Sequence, residues 1–237
     1  MFSIIIKSIK EDILKNTAFL LPLRLFIGLG WIRAGTEKII SEQWISGEIL
    51  NNYFIVQLSN GSIQISFYIQ CIEQFFIPNV QSLIWIIVLG QLLAGVSIFF
   101  GIFCNFGLLG GLFMNLNFIL AGSINPSAFY MIIQSVLFTA NTGAIVGLDK
   151  IICRYIPYEI CVAQINGKKP NPTIEKWSYF TLIIGSFCLA GIVFPYIKDF
   201  SPNAIHDQGM IIFILSILGG ISTFIKYVAI IEKNKNE

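Results

Sequence analysis

Four charged residues stand in the first apolar stretch of the chain: Arg24, Arg33, Glu37 and Lys38. A charged side chain inside a membrane costs roughly 2.5–3.5 kcal/mol on insertion scales, so each is a functional candidate by default. With about 3.6 residues per helical turn, Arg24, Trp31 and Lys38 fall on one helix face. This face places an aromatic ring between two cations, an arrangement suited to an anionic or amphipathic ligand.

Two alternatives give these charges purely structural roles. Arg33 and Glu37 are four residues apart, a spacing that predicts an ion pair along one side of the helix. Arg24 and Lys38 lie near opposite ends of the stretch, where long cationic side chains also reach lipid headgroups by snorkelling. The sequence leaves both alternatives open beside a ligand-binding role.

Three more polar residues interrupt apolar stretches further along the chain. Gln91 is a hydrogen-bonding group in the middle of one stretch, and Asn117 favours a hydrogen bond between helices over a ligand contact. Asp149 closes another stretch. It either pairs with Lys150 or Arg154 or marks the cytoplasmic boundary.

Grouped ligands for a bound redox centre are absent from the sequence. The chain has one histidine, so a bis-histidine haem within it is excluded. The cysteines form no C-x-x-C pair and no zinc or iron–sulfur spacing. No haem, flavin or metal motif is evident, so redox chemistry would need a cofactor borrowed from another protein or a diffusible one. The histidine is His206, and the cysteines are Cys71, Cys104, Cys153, Cys161 and Cys188.

Composition assigns the broad class of protein. Of 237 residues, 55% are hydrophobic and 12% are charged, whereas soluble domains carry about 25% charged residues. The mean hydropathy is +0.76. A net charge of +2 gives no indication of a nucleic-acid partner. We therefore expect an all-α integral membrane protein whose main partner is the lipid bilayer.

Six segments are apolar enough to be predicted as transmembrane helices. Their loops and tails show a strong bias in basic residues: three in the N-terminal tail, five in the loop before the fifth span and two in the C-terminal tail, against Lys198 on the other side. By the positive-inside rule, both termini are predicted to be cytoplasmic in a multi-pass protein of the cell (inner) membrane. The predicted spans are 18–40, 80–103, 105–122, 127–148, 177–197 and 208–231.

The predicted organisation is a four-helix domain followed by a helical pair. Within the outer loop, Ile65, Ile69, Ile72 and Phe76 repeat at helical spacing, which favours an interfacial helix. The alternation over 63–67 also fits a strand. Small-residue stripes on the second and third spans predict close helix packing. The segments are a cytoplasmic tail 1–17, the membrane domain 18–150 with its extracytoplasmic loop 41–79, a cytoplasmic loop 151–176, the pair 177–231 and a tail 232–237.

Several motifs together resemble one family. The stretch Leu23–Lys38, followed by Trp44–Gly47, is similar to the first helix of the DoxD family, the membrane subunit of thiosulfate:quinone oxidoreductase within the DoxX-like group. Later helices resemble theirs too, over about residues 20–150. Gln91 departs from relatives that often have an acidic residue there, and the helical pair after 176 exceeds the four-helix core. The later motifs are Gly90–Gly95 with Gly101, Asn117–Gly122 with Asn125-Pro126, and Gly147–Asp149.

The resemblance implies a DoxX-like four-helix transmembrane bundle plus two C-terminal helices, with quinone as diffusible electron acceptor. It also implies thiosulfate oxidation to tetrathionate, for which the few outer cations suggest a second oxidoreductase subunit. The alternatives are a non-catalytic membrane partner of a redox complex and a small-solute transporter. No catalytic residue is assigned. The candidates for binding substrate or quinone are Arg24, Trp31, Arg33, Glu37, Lys38, Trp44, Gln91, Asn117 and Asp149.

Overall fold

The computed structural model describes residues 18–140, 142–144, 147–152, 172–198 and 207–236. Over these residues the chain is helical and contains no strand. In chain order the helices are α1 Leu21–Ile40, α2 Glu42–Ile45, α3 Glu48–Ser59, α4 Ser66–Cys71, α5 Val80–Phe100, α6 Cys104–Leu120, α7 Ser127–Thr139, α8 Asp149–Ile152, α9 Pro172–Val193 and α10 Gln208–Asn236.

Helices α1, α5, α6 and α7 pack side by side, α5 against α1 and α6, and α7 against α6. We refer to these four packed helices as the four-helix bundle. Glycines allow this close approach. A Cβ at Gly28 would lie 2.7 Å from the backbone nitrogen of Phe99, and one at Gly95 would lie 2.7 Å from that of Ile32. The backbones of α1 and α5 are therefore in direct contact, as small residues permit in membrane helices.

Most positions of the small-residue stripes face a neighbouring helix, but one position does not. A Cβ at Gly107 would collide with Ser97 of α5, and one at Gly111 would collide with Gln134 of α7. For Gly110 the prediction is wrong, because a Cβ there meets nothing within 4 Å in the described part of the chain. Gly110 is one residue, about 100°, from Gly111 and so faces away from the contact.

Among the residues that the structure describes, two helices are long and apolar enough to cross a membrane, Val80–Phe100 and Trp177–Tyr196. Cys104–Leu120, Ser127–Phe138 and Gln208–Ile221 are apolar but shorter. The fourth predicted span is too long at 127–148, because α7 ends at Thr139 and the chain turns through Thr142–Ala144 into α8. Gly143 and Gly147 allow this turn to press against Cys104 and Gly101.

Residues 42–76 form the outer layer, made of α2, α3, α4 and a π-helical turn at Ile72–Phe76. The helical prediction for 65–76 is confirmed, and the strand alternative at 63–67 is wrong because α4 begins at Ser66. Ile65 and Ile72 are buried in one apolar cluster with Phe54 and Ile119. The stripe thus packs on the end of the four-helix bundle.

Helices α9 and α10 form the C-terminal hairpin, which contacts the bundle through α10 against α6 and α7. Gln208 ties its start to two other parts of the chain. Its side-chain amide donates to the carbonyl of Ile119 at 2.9 Å, and its oxygen accepts from the amide of Gln64 at 2.9 Å. The amide of Gly209 donates to the Gln64 side chain at 3.1 Å.

Both hairpin helices exceed the predicted boundaries. Helix α9 begins at Pro172, which suits the first turn because proline needs no N–H partner there. Helix α10 continues to Asn236, so the predicted tail at 232–237 is helical up to 236, where no glycine or proline interrupts it. The predicted tail 1–17, most of the loop 151–176, Cys153, Arg154, Cys161 and His206 lie outside the described residues.

Candidate functional site

Arg24 and Asp149 are buried together at the end of the bundle where α5 turns into α6. Arg24 is 2% exposed and donates to the carbonyl of Thr142. The Asp149 carboxylate accepts the backbone amides of Phe103 at 2.6 Å and Cys104 at 2.9 Å, and it attracts Arg24 electrostatically. Arg24 therefore does not snorkel, since its charge lies inside the protein.

The backbone around this pair is shaped by a tight turn. Gly101 has φ +65° and Phe103 has φ +48°, and the amide of Asp149 donates to the carbonyl of Gly101 at 2.7 Å. Burial raises the pKa of Asp149, while the two backbone amides and Arg24 act in the opposite direction. Asp149 thus caps the first turn of α6, where carboxylates are stabilised by the helix dipole. We call Arg24, Asp149 and their partners the Arg24–Asp149 lock.

A second polar group lies in the interior of the bundle, centred on Gly111. Trp31 of α1 is 3% exposed and Gln134 of α7 is fully buried. Trp31 Nε1 and Gln134 Nε2 both lie within 3.1 Å of the point where a Cβ of Gly111 would stand. The Gln134 oxygen is occupied, since it accepts from Asn115 Nδ2 at 2.9 Å. Two N–H donors from different helices therefore converge beside a residue without a side chain, and we call them the donor pair.

The donor pair has unused hydrogen-bonding capacity. Among the described residues, Trp31 Nε1 and Gln134 Nε2 have no acceptor, and Gln91 Oε1, also buried, has no donor. Such a buried polar group costs about 1–3 kcal/mol when it stays unsatisfied. Apolar side chains, including fully buried Ile98 and Leu108, pack around Trp31. The arrangement therefore favours a carbonyl or other acceptor atom in a dry environment.

The charged residues at the other end of α1 are less buried than Arg24. Arg33 donates to Glu37 at 2.5 Å, and their side chains are 80% and 61% exposed. The predicted ion pair is present on the outside of the bundle. Lys38 is half-buried, donates to the carbonyl of Ala34 at 3.2 Å, and holds its ammonium 4.8 Å from the ring centroid of Trp44. A cation–π contact of this kind is worth about 0.5–1 kcal/mol at an exposed site.

Asn117 connects α6 to the outer layer. Its side-chain oxygen accepts from the Tyr68 hydroxyl at 3.2 Å, and its amide donates to the carbonyl of Phe113 at 2.8 Å. Burial raises the pKa of Tyr68, so the phenol stays protonated and acts as a donor. This is the structural role that the sequence favours for Asn117.

Sequence reasoning identified Trp31 and Gln91 but missed Gln134 and Asn115. A signal for Gln134 was present, because it is a lone amide directly after an apolar run that ends in Ile132 and Ile133. The structure joins Arg24 to Asp149 and Lys38 to Trp44, and it leaves Arg33 and Glu37 outside the bundle. Within the described residues, no group of three or more His, Cys, Asp or Glu is placed to hold a metal ion.

Protein-family models, curated proteins and solved structures give no match to this chain. A relation to DoxD therefore stays a prediction from the sequence motifs, and any function follows from the geometry of the residues themselves.

Proposed function

We propose that this chain is a multi-pass, DoxX-like subunit of the cell membrane that binds quinone as the electron acceptor of an oxidoreductase complex. The observation that carries this proposal is the donor pair, two unpartnered N–H groups converging in an apolar interior. Quinone carbonyls are hydrogen-bond acceptors on an apolar ring, so their chemistry suits this environment.

Membrane insertion is supported by the apolar side chains on the outside of the helices. Leu93 and Ile86 of α5 are 70% and 68% exposed, and Ile192 and Trp177 of α9 are also exposed. Soluble monomers rarely expose apolar patches larger than a few hundred Å². A lipid environment removes this exposure, and the polar groups of Trp31, Gln91 and Gln134 are turned inward, as polar residues in membrane helices are.

Trp31 and Gln134 fit a quinone carbonyl better than the charged residues do. When bound, a quinone supplies the electron-accepting group of the reaction. Trp31 Nε1 and Gln134 Nε2 would hold its oxygen, and the missing side chain of Gly111 lets both donors approach the backbone of α6. The Arg24–Asp149 lock holds α1 against the chain beyond α7 and keeps these donors in place. Leu108 and its apolar neighbours exclude water from the interior.

Oxidation of thiosulfate to tetrathionate is the reaction that the DoxD resemblance adds to this proposal. Its substrate is a dianion, and the outer end of α1 offers Lys38 beside Trp44, while Arg33 already pairs with Glu37. One half-buried lysine is a weak anion site. We therefore propose that a second subunit completes the sulfur chemistry, and that this chain is the membrane partner of that subunit.

The test is thiosulfate-dependent reduction of a short-chain ubiquinone by the purified chain, alone and with proteins that co-purify with it. We expect reduction with the partner and little without it. Trp31→Phe removes one donor, which at about 0.5–1.5 kcal/mol for a neutral hydrogen bond lowers quinone affinity about two- to tenfold. Trp85→Phe is the matched control, because Trp85 is on the outside of α5. Solute flux into proteoliposomes without quinone binding would instead indicate a transporter.

A further inference from the structure

A cavity of about 450 Å³ lies between the four-helix bundle and the C-terminal hairpin. All four adjoining helices contribute apolar side chains to its wall, among them Leu112 of α6, Met131 of α7, Leu182 of α9 and Leu215 of α10. The cavity is half-open, so it communicates with the surroundings of the protein. We call it the lateral cavity, and it is separate from the donor pair because Gln134 faces the bundle interior.

Five residues of this wall carry hydroxyl groups: Ser135, Tyr179, Ser186, Ser216 and Thr223. Ser135 donates to the carbonyl of Met131 at 2.8 Å, and Thr223 donates to that of Gly219 at 2.7 Å. Each of these two hydrogen bonds joins residues of one helix, α7 for Ser135 and α10 for Thr223. The other wall residues are apolar side chains and Gly219, so most of the lateral cavity offers few of the roughly two to four polar contacts that a buried water needs.

An unfilled lateral cavity would also be unfavourable. Side chains that border a void lose dispersion contacts on one side, and the loss grows with the volume of the void. The volume falls within the range of about 300–1,000 Å³ that small-molecule sites occupy. An apolar, flexible occupant is the kind that satisfies this wall.

The position of the lateral cavity identifies the source of such an occupant. Next to it, α9 carries exposed apolar side chains that include Leu182, Ile184 and Phe187. These side chains belong to the surface that the proposed function places in lipid, and Leu182 also lines the cavity. We propose that the lateral cavity binds one acyl chain of a membrane phospholipid, which enters sideways and fills the space between the hairpin and the bundle. This inference rests on the membrane insertion in the proposed function but not on quinone binding.

Gly219 allows the cavity to be filled without disturbing its walls. A Cβ at Gly219 would meet nothing within 4 Å among the described residues. Gly219→Leu therefore places a branched side chain in the acyl-chain site. Gly191→Leu is the matched control, because Gly191 is equally open but does not line the cavity. Thr223→Leu fills the same cavity from a second position, should Gly219→Leu fold poorly.

The experiment is photo-crosslinking of the full chain in vesicles of phosphatidylcholine that carries a diazirine near the middle of its acyl chain. We expect crosslinks concentrated on cavity residues such as Leu112 and Leu215. Gly219→Leu or Thr223→Leu should reduce them about tenfold, and Gly191→Leu should not. Labelling equal to that of outward residues such as Leu93, and unchanged by both filling variants, would overturn the proposal.

Two additions distinguish the acyl chain from a quinone tail. A long-chain isoprenoid quinone should displace the label no better than unlabelled phosphatidylcholine does, and displacement at tenfold lower concentration would overturn the assignment to phospholipid. Trp31→Phe should leave the crosslinks unchanged, because it affects the donor pair alone. Absence of quinone binding by the unchanged chain, with intact crosslinks, would therefore reject the proposed function and leave the lateral cavity standing.

Discussion

Glycines at the helix contacts of the four-helix bundle have different surroundings from Gly191 and Gly219 of the C-terminal hairpin. A Cβ at Gly28, Gly95 or Gly111 would collide with the neighbouring helix, whereas Cβ atoms at Gly191 and Gly219 would meet nothing within 4 Å in the described chain. Bundle glycines thus act as contact surfaces, and these hairpin glycines leave space. The difference indicates that the bundle fixes its polar residues in position, while the hairpin leaves a cavity beside it.

We expect the stability of the four-helix bundle to depend most on the Arg24–Asp149 lock. Removing one partner of a buried charge pair costs about 3–5 kcal/mol, because the other charge stays buried without compensation. We expect Arg24→Met to lower the yield of folded protein in detergent severely. Arg33→Gln is the control on the same helix. A normal yield for Arg24→Met would show that the buried pair does not hold the bundle together.

A smaller effect is expected from adding a side chain at a bundle glycine. Overpacking costs about 1–3 kcal/mol, and more is expected where the obstacle is backbone, as at Gly28 beside Phe99. Gly28→Leu should lower the thermal midpoint in detergent by several degrees or more. Gly191→Leu should leave the midpoint unchanged. Equal midpoints for the two variants would remove the contrast between bundle and hairpin.

The connection between the two regions is tested at Gln208. Gln208→Leu loses the hydrogen bonds to the Ile119 carbonyl and to the Gln64 backbone amide. The Ile119 carbonyl still accepts from the amide of Gly122, whereas the Gln64 amide loses its acceptor, at about 1–3 kcal/mol for a buried group left unsatisfied. We expect faster amide hydrogen exchange in the first turns of α10, with the exchange of α1 and α5 unchanged. Unchanged exchange in α10 would mean that apolar packing alone holds the hairpin.

The smallest effect is expected at Arg33. Its ion pair with Glu37 is exposed, and such pairs are screened by solvent. Arg33→Gln should therefore leave the thermal midpoint and the folded yield as they are in the unchanged chain. A clear loss of folded protein would show that Arg33 has a partner in the membrane that the isolated chain lacks.

Helix positions and face assignments followed from the sequence because apolar periodicity determines them. The shared face of Arg24 and Trp31 and the pair Arg33–Glu37 are of this kind. The partnership of Arg24 with Asp149 is not, because those residues are 125 positions apart in the printed sequence and meet only through the turn after α7. The early end of α7 was missed for the same reason. A hydropathy pattern cannot predict that Gly143 and Gly147 pack against the α5–α6 turn.

The most direct test of quinone binding at the donor pair is the affinity of the chain in nanodiscs for a short-chain ubiquinone. If the donor pair binds quinone, the dissociation constant should be about two- to tenfold larger for Trp31→Phe and for Gln134→Leu, and unchanged for Trp85→Phe. Affinities equal to that of the unchanged chain in both donor variants, at matched folded yield, would contradict this prediction and leave the donor pair without a ligand.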